Sequence, residues 1–326
     1  MANRTDLPGA GQRLAVLGAG PGGYPAAFLA AELGFEVTLI DERANPGGVC
    51  LYDGCIPSKA LLHAAELIND AREAASIGLA FGEPAIDLDR LREWKDREVV
   101  GKMTSGLGQI ARARKVRFVH GRGRFVDPQT LRVALDGEVT DVAFEHAIIA
   151  TGSRPLIPGP LRLESDRVWD STAALELREA PASLLIVGGG YIGLEMATVY
   201  AALGSKVTVV EMTGSLLPGA DADLTKILAE SIDERMEQVL LETSVLALRE
   251  ASSGIEADLS GPGGDETRAF DRVLIATGRR PNSENLGLET TAVRTSDRGF
   301  IEVDHQRRTA EPSIFAIGDV AGEPML

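Results

Sequence analysis

The stretch Leu14-Ala-Val-Leu-Gly18-Ala-Gly20-Pro-Gly-Gly23 decides the fold. Its first four residues read as a short buried strand, and the glycines open into the helical pattern Tyr24 to Leu33. A second strand, Val37-Thr-Leu-Ile40, follows and ends in Asp41. In such a unit the first glycine makes the turn, the second admits a pyrophosphate close to the backbone, and the third lets helix and strand pack; the acid accepts hydrogen bonds from a ribose. The series returns at Leu184-Leu-Ile-Val-Gly188-Gly-Gly190-Tyr-Ile-Gly193, with a helix to Leu203 and the strand Val207-Thr-Val-Val210 ending in Glu211. Gly18, Gly20, Gly23, Leu33, Gly34, Val37, Thr38 and Asp41 each have a counterpart 170 positions later. One glycine-rich turn is weak evidence, but two complete strand-glycine-helix-strand-acid units at one offset predict two dinucleotide sites.

Two nucleotide folds in one chain suggest two cofactors working together. Glu211 is followed by Met-Thr-Gly-Ser-Leu-Leu, with no Arg or Lys to neutralise a 2′-phosphate, so the second site is expected to take NAD rather than NADP. The first site, next to the two cysteines, is the candidate for FAD.

Composition agrees with an α/β chain. The 326 residues exceed one ordinary domain, and 44% hydrophobic residues with 36 glycines and 5% aromatics suit buried strands joined by tight turns. A formal charge of -15 disfavours phosphate backbones and anionic lipid surfaces, so nucleic acid and membrane are excluded as expected partners. The start, Met-Ala-Asn-Arg-Thr-Asp-Leu-Pro-Gly, lacks an apolar run of signal-peptide length, which reads as a cytoplasmic protein. Two cysteines without a histidine pair nearby predict no metal site and, in a reducing compartment, a redox-active pair.

Between the two motifs, residues 58 to 76 and 88 to 115 have helical periodicity, and about 116 to 148 alternate as an antiparallel meander that includes Val116-Arg-Phe-Val119. Ala147-Ile-Ile-Ala-Thr-Gly152-Ser-Arg-Pro and Val273-Leu-Ile-Ala-Thr-Gly278-Arg-Arg-Pro are a second pair of echoes, read as exits from the two nucleotide domains. Gly254 to Glu266 reads as a hairpin tip.

The chemistry is expected in Gly47-Gly-Val-Cys50-Leu-Tyr-Asp-Gly-Cys55-Ile-Pro-Ser-Lys59-Ala-Leu-Leu-His63. Pro57 fits a first helical turn, which puts Cys55 at a helix N-terminus where the dipole favours a thiolate. Lys59, one turn on, adds positive charge on the same face. His63 reads as a helix-face residue, and His120, His146 and His305 show no pattern that assigns a general base.

The cysteine motif, Trp169-Asp-Ser-Thr172, Gly188-Gly-Gly-Tyr-Ile-Gly-Leu-Glu195 and Ile314-Phe-Ala-Ile-Gly-Asp319 together resemble the pyridine nucleotide-disulfide oxidoreductases over essentially the whole chain, and most closely the dihydrolipoamide dehydrogenase branch, with Ile56 and Ser58 pointing there. The resemblance implies two Rossmann-like domains of the glutathione-reductase type with antiparallel meanders: residues 1–149 binding FAD, 150–277 binding NAD, and 278–326 returning to complete the FAD site. It implies that Cys55 faces the flavin and Cys50 meets substrate. Lys59 would pair with Glu195 near the reactive nitrogen, Asp319 would hold the ribityl chain, and Tyr191 would sit where nicotinamide stacks. Gly18, Gly20, Gly23, Asp41, Gly152, Gly188, Gly190, Gly193, Glu211 and Gly278 would line the cofactors. The implied reaction passes electrons from a dihydrolipoyl dithiol, on a lipoyl domain of a 2-oxoacid dehydrogenase-type complex, through the Cys50–Cys55 disulfide and FAD to NAD.

Two departures matter. Related chains usually carry Asn-Val where this one has Tyr52-Asp53. The family also continues beyond the position of Leu326 through an interface domain that supplies the dimer contact and a His-Glu acid–base pair. A homodimer and full lipoamide turnover are therefore expected only with that domain, and this form alone is expected to turn over little. A reductase of another disulfide and a non-catalytic nucleotide-binding module are the alternatives.

Overall fold

A computed structural model describes residues 7–325; the N-terminal residues before Leu7, on which part of the leader reading falls, and Leu326 lie outside the described residues. Contacts divide the chain into two compact units. One holds the chain up to Tyr52, Val100–Arg154 and the stretch from Arg279 on; the other holds Asp53–Val99 and Pro155–Gly278.

The first unit is built on a five-stranded sheet in the order Ile314–Ala316, His146–Ile149, Arg13–Leu17, Glu36–Asp41, Arg117–His120. All four pairings are parallel, with Leu17 opposite Ile40 and Ile149. Alternation along the central strand sorts its side chains by face. Leu14 and Val16 pack with Ala27 and Phe28 of the helix Gly23–Glu32 and with Ala111 of the helix Lys102–Ala113. Ala15 and Leu17 face Phe125, Leu131, Val133 and Val142 of the antiparallel meander Arg122–Asp127, Thr130–Leu135, Glu138–Ala143. Both faces are covered, which is why the strand is a continuous apolar run.

The second unit repeats the scheme. Its sheet runs Gln238–Leu240, Lys206–Val210, Ser183–Val187, Arg272–Ile275, Val168–Trp169, again all parallel. Leu184 and Ile186 pack with Leu194, Ala197 and Tyr200 of the helix Tyr191–Ala202. Leu185 and Val187 face Leu248, Ala257, Leu259 and Phe270 of the meander Ser244–Glu250, Ile255–Gly261, Gly264–Phe270. The helix Cys55–Glu73 belongs to this unit: it packs beside Tyr191–Ala202, buries Leu61 in the same core, and places Arg72 Nη1 3.2 Å from the carbonyl of Ala202.

One expectation is corrected, and two hold with a refinement. Val116 to Val119 is not meander: Arg117–His120 pairs in parallel with Glu36–Asp41 as the sheet's edge, a distinction that a four-residue alternation cannot carry. Gly254 to Glu266 holds the expected hairpin within the second unit, with its tip confined to the tight turn Pro262-Gly263 between two seven-residue strands. The helical reading from 88 to 115 holds, as Leu88–Glu93, a π-helical segment Trp94–Gly101, and Lys102–Ala113.

Candidate functional site

The two glycine turns are superimposable in their chemistry. A Cβ on Gly18 would stand 2.3 Å from the carbonyl oxygen of Ala150, and on Gly23 1.8 Å from that of Gly18. The corresponding distances are 2.5 Å from Ala276 O for Gly188 and 2.1 Å from Gly188 O for Gly193. These first and third glycines are therefore required by packing of strand, turn and helix. The second glycines differ: a Cβ on Gly20 would meet only Gly48 Cα, at 3.7 Å, and one on Gly190 would meet nothing within 4 Å. Open space faces the backbone where a pyrophosphate would approach, so both cradles fit a dinucleotide phosphate. Gly152 and Gly278, in the paired Ala-Thr-Gly turns, also have positive φ and no neighbour within 4 Å of a built Cβ.

The acid after each second strand folds back onto its own turn. Asp41 Oδ2 accepts from the N–H of Ala19 at 2.6 Å and Oδ1 from that of Arg43 at 2.8 Å. Glu211 Oε2 accepts from the N–H of Gly189 at 2.7 Å, and Oε1 from the N–H and hydroxyl of Thr213 at 2.8 and 2.9 Å. Ala19 and Gly189, like Arg43 and Thr213, stand at the same 170-residue offset as the glycines. Sequence reading gave these acids to a ribose alone; their bracing of the turn was missed, although the constant offset carried its signal.

Cys50 lies in the short helix Gly48–Asp53 and is half-buried. Cys55, also half-buried, is the first residue of the 19-residue helix Cys55–Glu73, with Gly54 before it. Pro57 sits in that first turn, and Ser58 closes it by donating from its hydroxyl to the Cys55 carbonyl at 3.1 Å. The four leading N–H groups of a helix lack intrahelical acceptors, so a thiolate here faces the positive end of the dipole. One turn on, Lys59 Nζ donates to Glu195 Oε1 at 2.6 Å. Glu195 lies in the second turn of Tyr191–Ala202, the helix that opens at Gly190, and Tyr191 at its start is 40% exposed. The cysteine helix and the second nucleotide helix are thus joined by an ion pair near their N-termini.

Asp319 follows the strand Ile314–Ala316 in the turn Gly318–Ala321. Its Oδ2 accepts from the hydroxyl of Ser153 at 2.5 Å, and that hydroxyl accepts from Arg279 Nε at 2.7 Å. Arg279 also holds the Ser153 carbonyl at 2.8 Å. This Arg279–Ser153–Asp319 chain ties together the two Ala-Thr-Gly exits' flanking residues and was not foreseen from sequence. His63 is on the exposed helix face beside Glu66, and His146 packs edge-on against Phe315. Among the described residues no cluster of His, Cys, Asp or Glu is placed to hold a metal, and no helix is long and apolar enough to cross a membrane.

A parallel sheet carrying a glycine turn and a bracing acid, present twice, together with a cysteine pair at a helix start, defines a nucleotide-dependent disulfide-exchange class of protein. The profile of the pyridine nucleotide-disulphide oxidoreductases matches residues 12–326. Dihydrolipoyl dehydrogenase of Vibrio cholerae is 47% identical over 315 residues, covering 96% of this chain and 66% of the relative; that of Haemophilus influenzae is 48% identical over the same shares. Among solved structures, the copper(II) complex of the HOCl-induced flavoprotein disulfide reductase RclA from Escherichia coli matches with a TM-score of 0.84 at 29% identity, over 97% of this chain and 67% of that one. The chain belongs to the pyridine nucleotide-disulphide oxidoreductase family. It spans 66%, just under two thirds, of the length of these curated relatives.

Proposed function

We propose that this protein is a flavin disulfide oxidoreductase that takes electrons from a protein-bound dihydrolipoyl dithiol and passes them to NAD. The carrying observation is the equivalence of the two cradles, each with its open second glycine and its self-bracing acid, in a chain whose cysteine helix begins at Cys55. FAD is assigned to the cradle of Gly18, Gly20 and Gly23, with Asp41, Gly152 and Asp319; NAD is assigned to that of Gly188, Gly190 and Gly193, with Tyr191, Glu211 and Gly278. Bound together, the two groups supply a two-electron acceptor and a hydride acceptor.

The residues divide the remaining work. One thiol of the dihydrolipoyl group attacks the Cys50–Cys55 disulfide at Cys50, forming a mixed disulfide and releasing Cys55 as a thiolate. The second thiol then displaces Cys50, so the lipoyl group leaves as its disulfide with two electrons and two protons given up. The helix N-terminus and Lys59 hold the Cys55 negative charge, and Glu195 fixes the ammonium in place. The net change is dihydrolipoyl group plus NAD⁺ to lipoyl group plus NADH and a proton. A partner of this chemistry is a lipoyl domain of a 2-oxoacid dehydrogenase-type complex; the names of the curated relatives support the dihydrolipoyl group as the electron donor. Glu211, a residue only 6% exposed at the end of the second strand, would favour NAD over NADP, because its carboxylate would repel a 2′-phosphate.

The test is anaerobic reduction of the FAD-loaded protein by dihydrolipoamide followed by NAD. The expected results are a long-wavelength thiolate-to-flavin absorbance, abolished by Cys55→Ser, and NADH formation. A protein that binds no FAD, or one that reduces glutathione disulfide with NADPH and leaves dihydrolipoamide untouched, overturns the assignment.

A further inference from the structure

The structure gives the Tyr52 side chain two contacts with the stretch that precedes the first cysteine. The Arg43 guanidinium carbon lies 4.9 Å from the centroid of the Tyr52 ring, a cation–π geometry, and the Tyr52 hydroxyl donates to the carbonyl of Asn45 at 3.2 Å. Both partners belong to the connector that runs from the acid Asp41 to the helix carrying Cys50. That connector is seated at several points. The N–H of Arg43 donates to Asp41, and the N–H of Gly47 donates to the carbonyl of Ala19 at 2.8 Å. The Asn45 side-chain oxygen occupies the place a Cβ on Gly108 would need, 2.3 Å away, and a Cβ on Gly48 would fall 2.4 Å from Gly20 Cα. Cys50 is thus linked backward, through the clamp and the connector, to the carboxylate and the N–H of Ala19 in the first glycine turn.

We infer that Tyr52 is a positioning residue that couples occupancy of the first cradle's adenosine end to the setting of Cys50. A ribose hydroxyl engaging Asp41 changes the load on a carboxylate that already holds Ala19 and Arg43. Arg43 transmits that change to the Tyr52 ring, and Tyr52 sits two residues from Cys50 on the same short helix. With Asn at this position the connector keeps its backbone contacts and loses both side-chain ones. The inference rests on the first cradle binding the adenosine half of FAD.

The experiment uses the Cys55→Ser protein, in which Cys50 is the single thiol, with ADP as the probe for the adenosine end. Cys50 alkylation by iodoacetamide is timed with and without saturating ADP in protein whose second cradle is kept filled with saturating NAD, and ADP binding is measured separately by calorimetry under the same conditions. ADP is expected to slow alkylation by at least about fivefold, the low end of ordinary site-to-site coupling. In Tyr52→Asn and in Arg43→Met that ratio falls to near one while ADP still binds. Tyr52→Phe, which keeps the ring under the guanidinium, restores most of it and keeps the question decidable should Tyr52→Asn fold poorly. An ADP effect that persists undiminished in Tyr52→Asn or Arg43→Met means that ADP shields Cys50 directly, and overturns the coupling alone. ADP that binds without changing the alkylation rate also overturns it. A protein that binds no ADP overturns the cradle assignment and the coupling with it.

Discussion

Lys59 Nζ and Glu195 Oε1 are 2.6 Å apart, and the pair bridges two helix starts while Lys59 remains 59% exposed and Glu195 23%. Such a pair is screened by water, so its value to folding is small, less than about 1 kcal/mol. Lys59→Met should therefore leave the urea midpoint nearly unchanged. The same substitution removes a positive charge one turn from Cys55, so the thiolate-to-flavin absorbance of the half-reduced protein should weaken and shift to higher pH. Unfolding curves and a pH titration of that band, run side by side, check both halves.

Gly190 and Gly193 lie three residues apart and should respond oppositely. A methyl on Gly193 meets the Gly188 carbonyl at 2.1 Å, and relieving that overlap should cost about 1–3 kcal/mol or more of stability. A methyl on Gly190 meets no protein atom within 4 Å, so Gly190→Ala should fold as well as the parent. It should nevertheless bind NADH roughly tenfold more weakly, a loss of about 1.4 kcal/mol, because the methyl occupies the phosphate's approach. Thermal unfolding against NADH fluorescence titration separates the two.

Glu211→Ala deprives the N–H groups of Gly189 and Thr213 of their acceptor. Leaving the buried Gly189 donor unmet costs about 1–3 kcal/mol, whereas the exposed Thr213 N–H can turn to water, so the second unit should lose stability before any nucleotide is added. Calorimetric unfolding of the nucleotide-free protein measures this, and Glu211→Gln, which keeps one acceptor oxygen, should recover part of it.

Acid sensitivity has one identifiable contributor at the edge of the first sheet's central strand. Glu145 accepts from the Arg13 N–H at 2.7 Å and pairs with its guanidinium, which holds the carboxyl down to about 2 from its ordinary 4.5. A carboxylate depressed in the folded state stabilises it fully above the unfolded value, and that contribution is lost as pH falls from there through the folded one. Wild type minus Glu145→Gln should therefore show a stability difference that is constant above about pH 5 and shrinks toward pH 2. Circular dichroism of urea unfolding at stepped pH values would show it; a difference that grows on acidification refutes it.

The parallel sheets were legible because each glycine turn is local and its strands are continuous apolar runs. Strand Arg117–His120 was not, since four residues that alternate weakly do not reveal which edge they join. The placement of residues 53–99 with 155–278 was equally hidden: it depends on Leu61 fitting among Leu194, Tyr200 and Trp169, a long-range packing fact without local periodicity. At the site, the motif supplied Cys55 and Lys59 in order along one helix. The ion pair needed resemblance, because Glu195 is 136 residues away from Lys59. Ser153 and Arg279 went unnoticed because a serine and an arginine in exit turns carry no distinctive spacing.

Asp41 and Glu211 each brace their own turn, and if they also hold a ribose as proposed, one carboxylate would do two jobs and limit how the protein could change its choice of coenzyme. Replacing Glu211 by a neutral or basic side chain to admit a 2′-phosphate also unpins the turn from Gly189. Any route to a phosphorylated nucleotide must first install another acceptor for that amide, so selectivity and loop integrity here are inherited together rather than tuned apart.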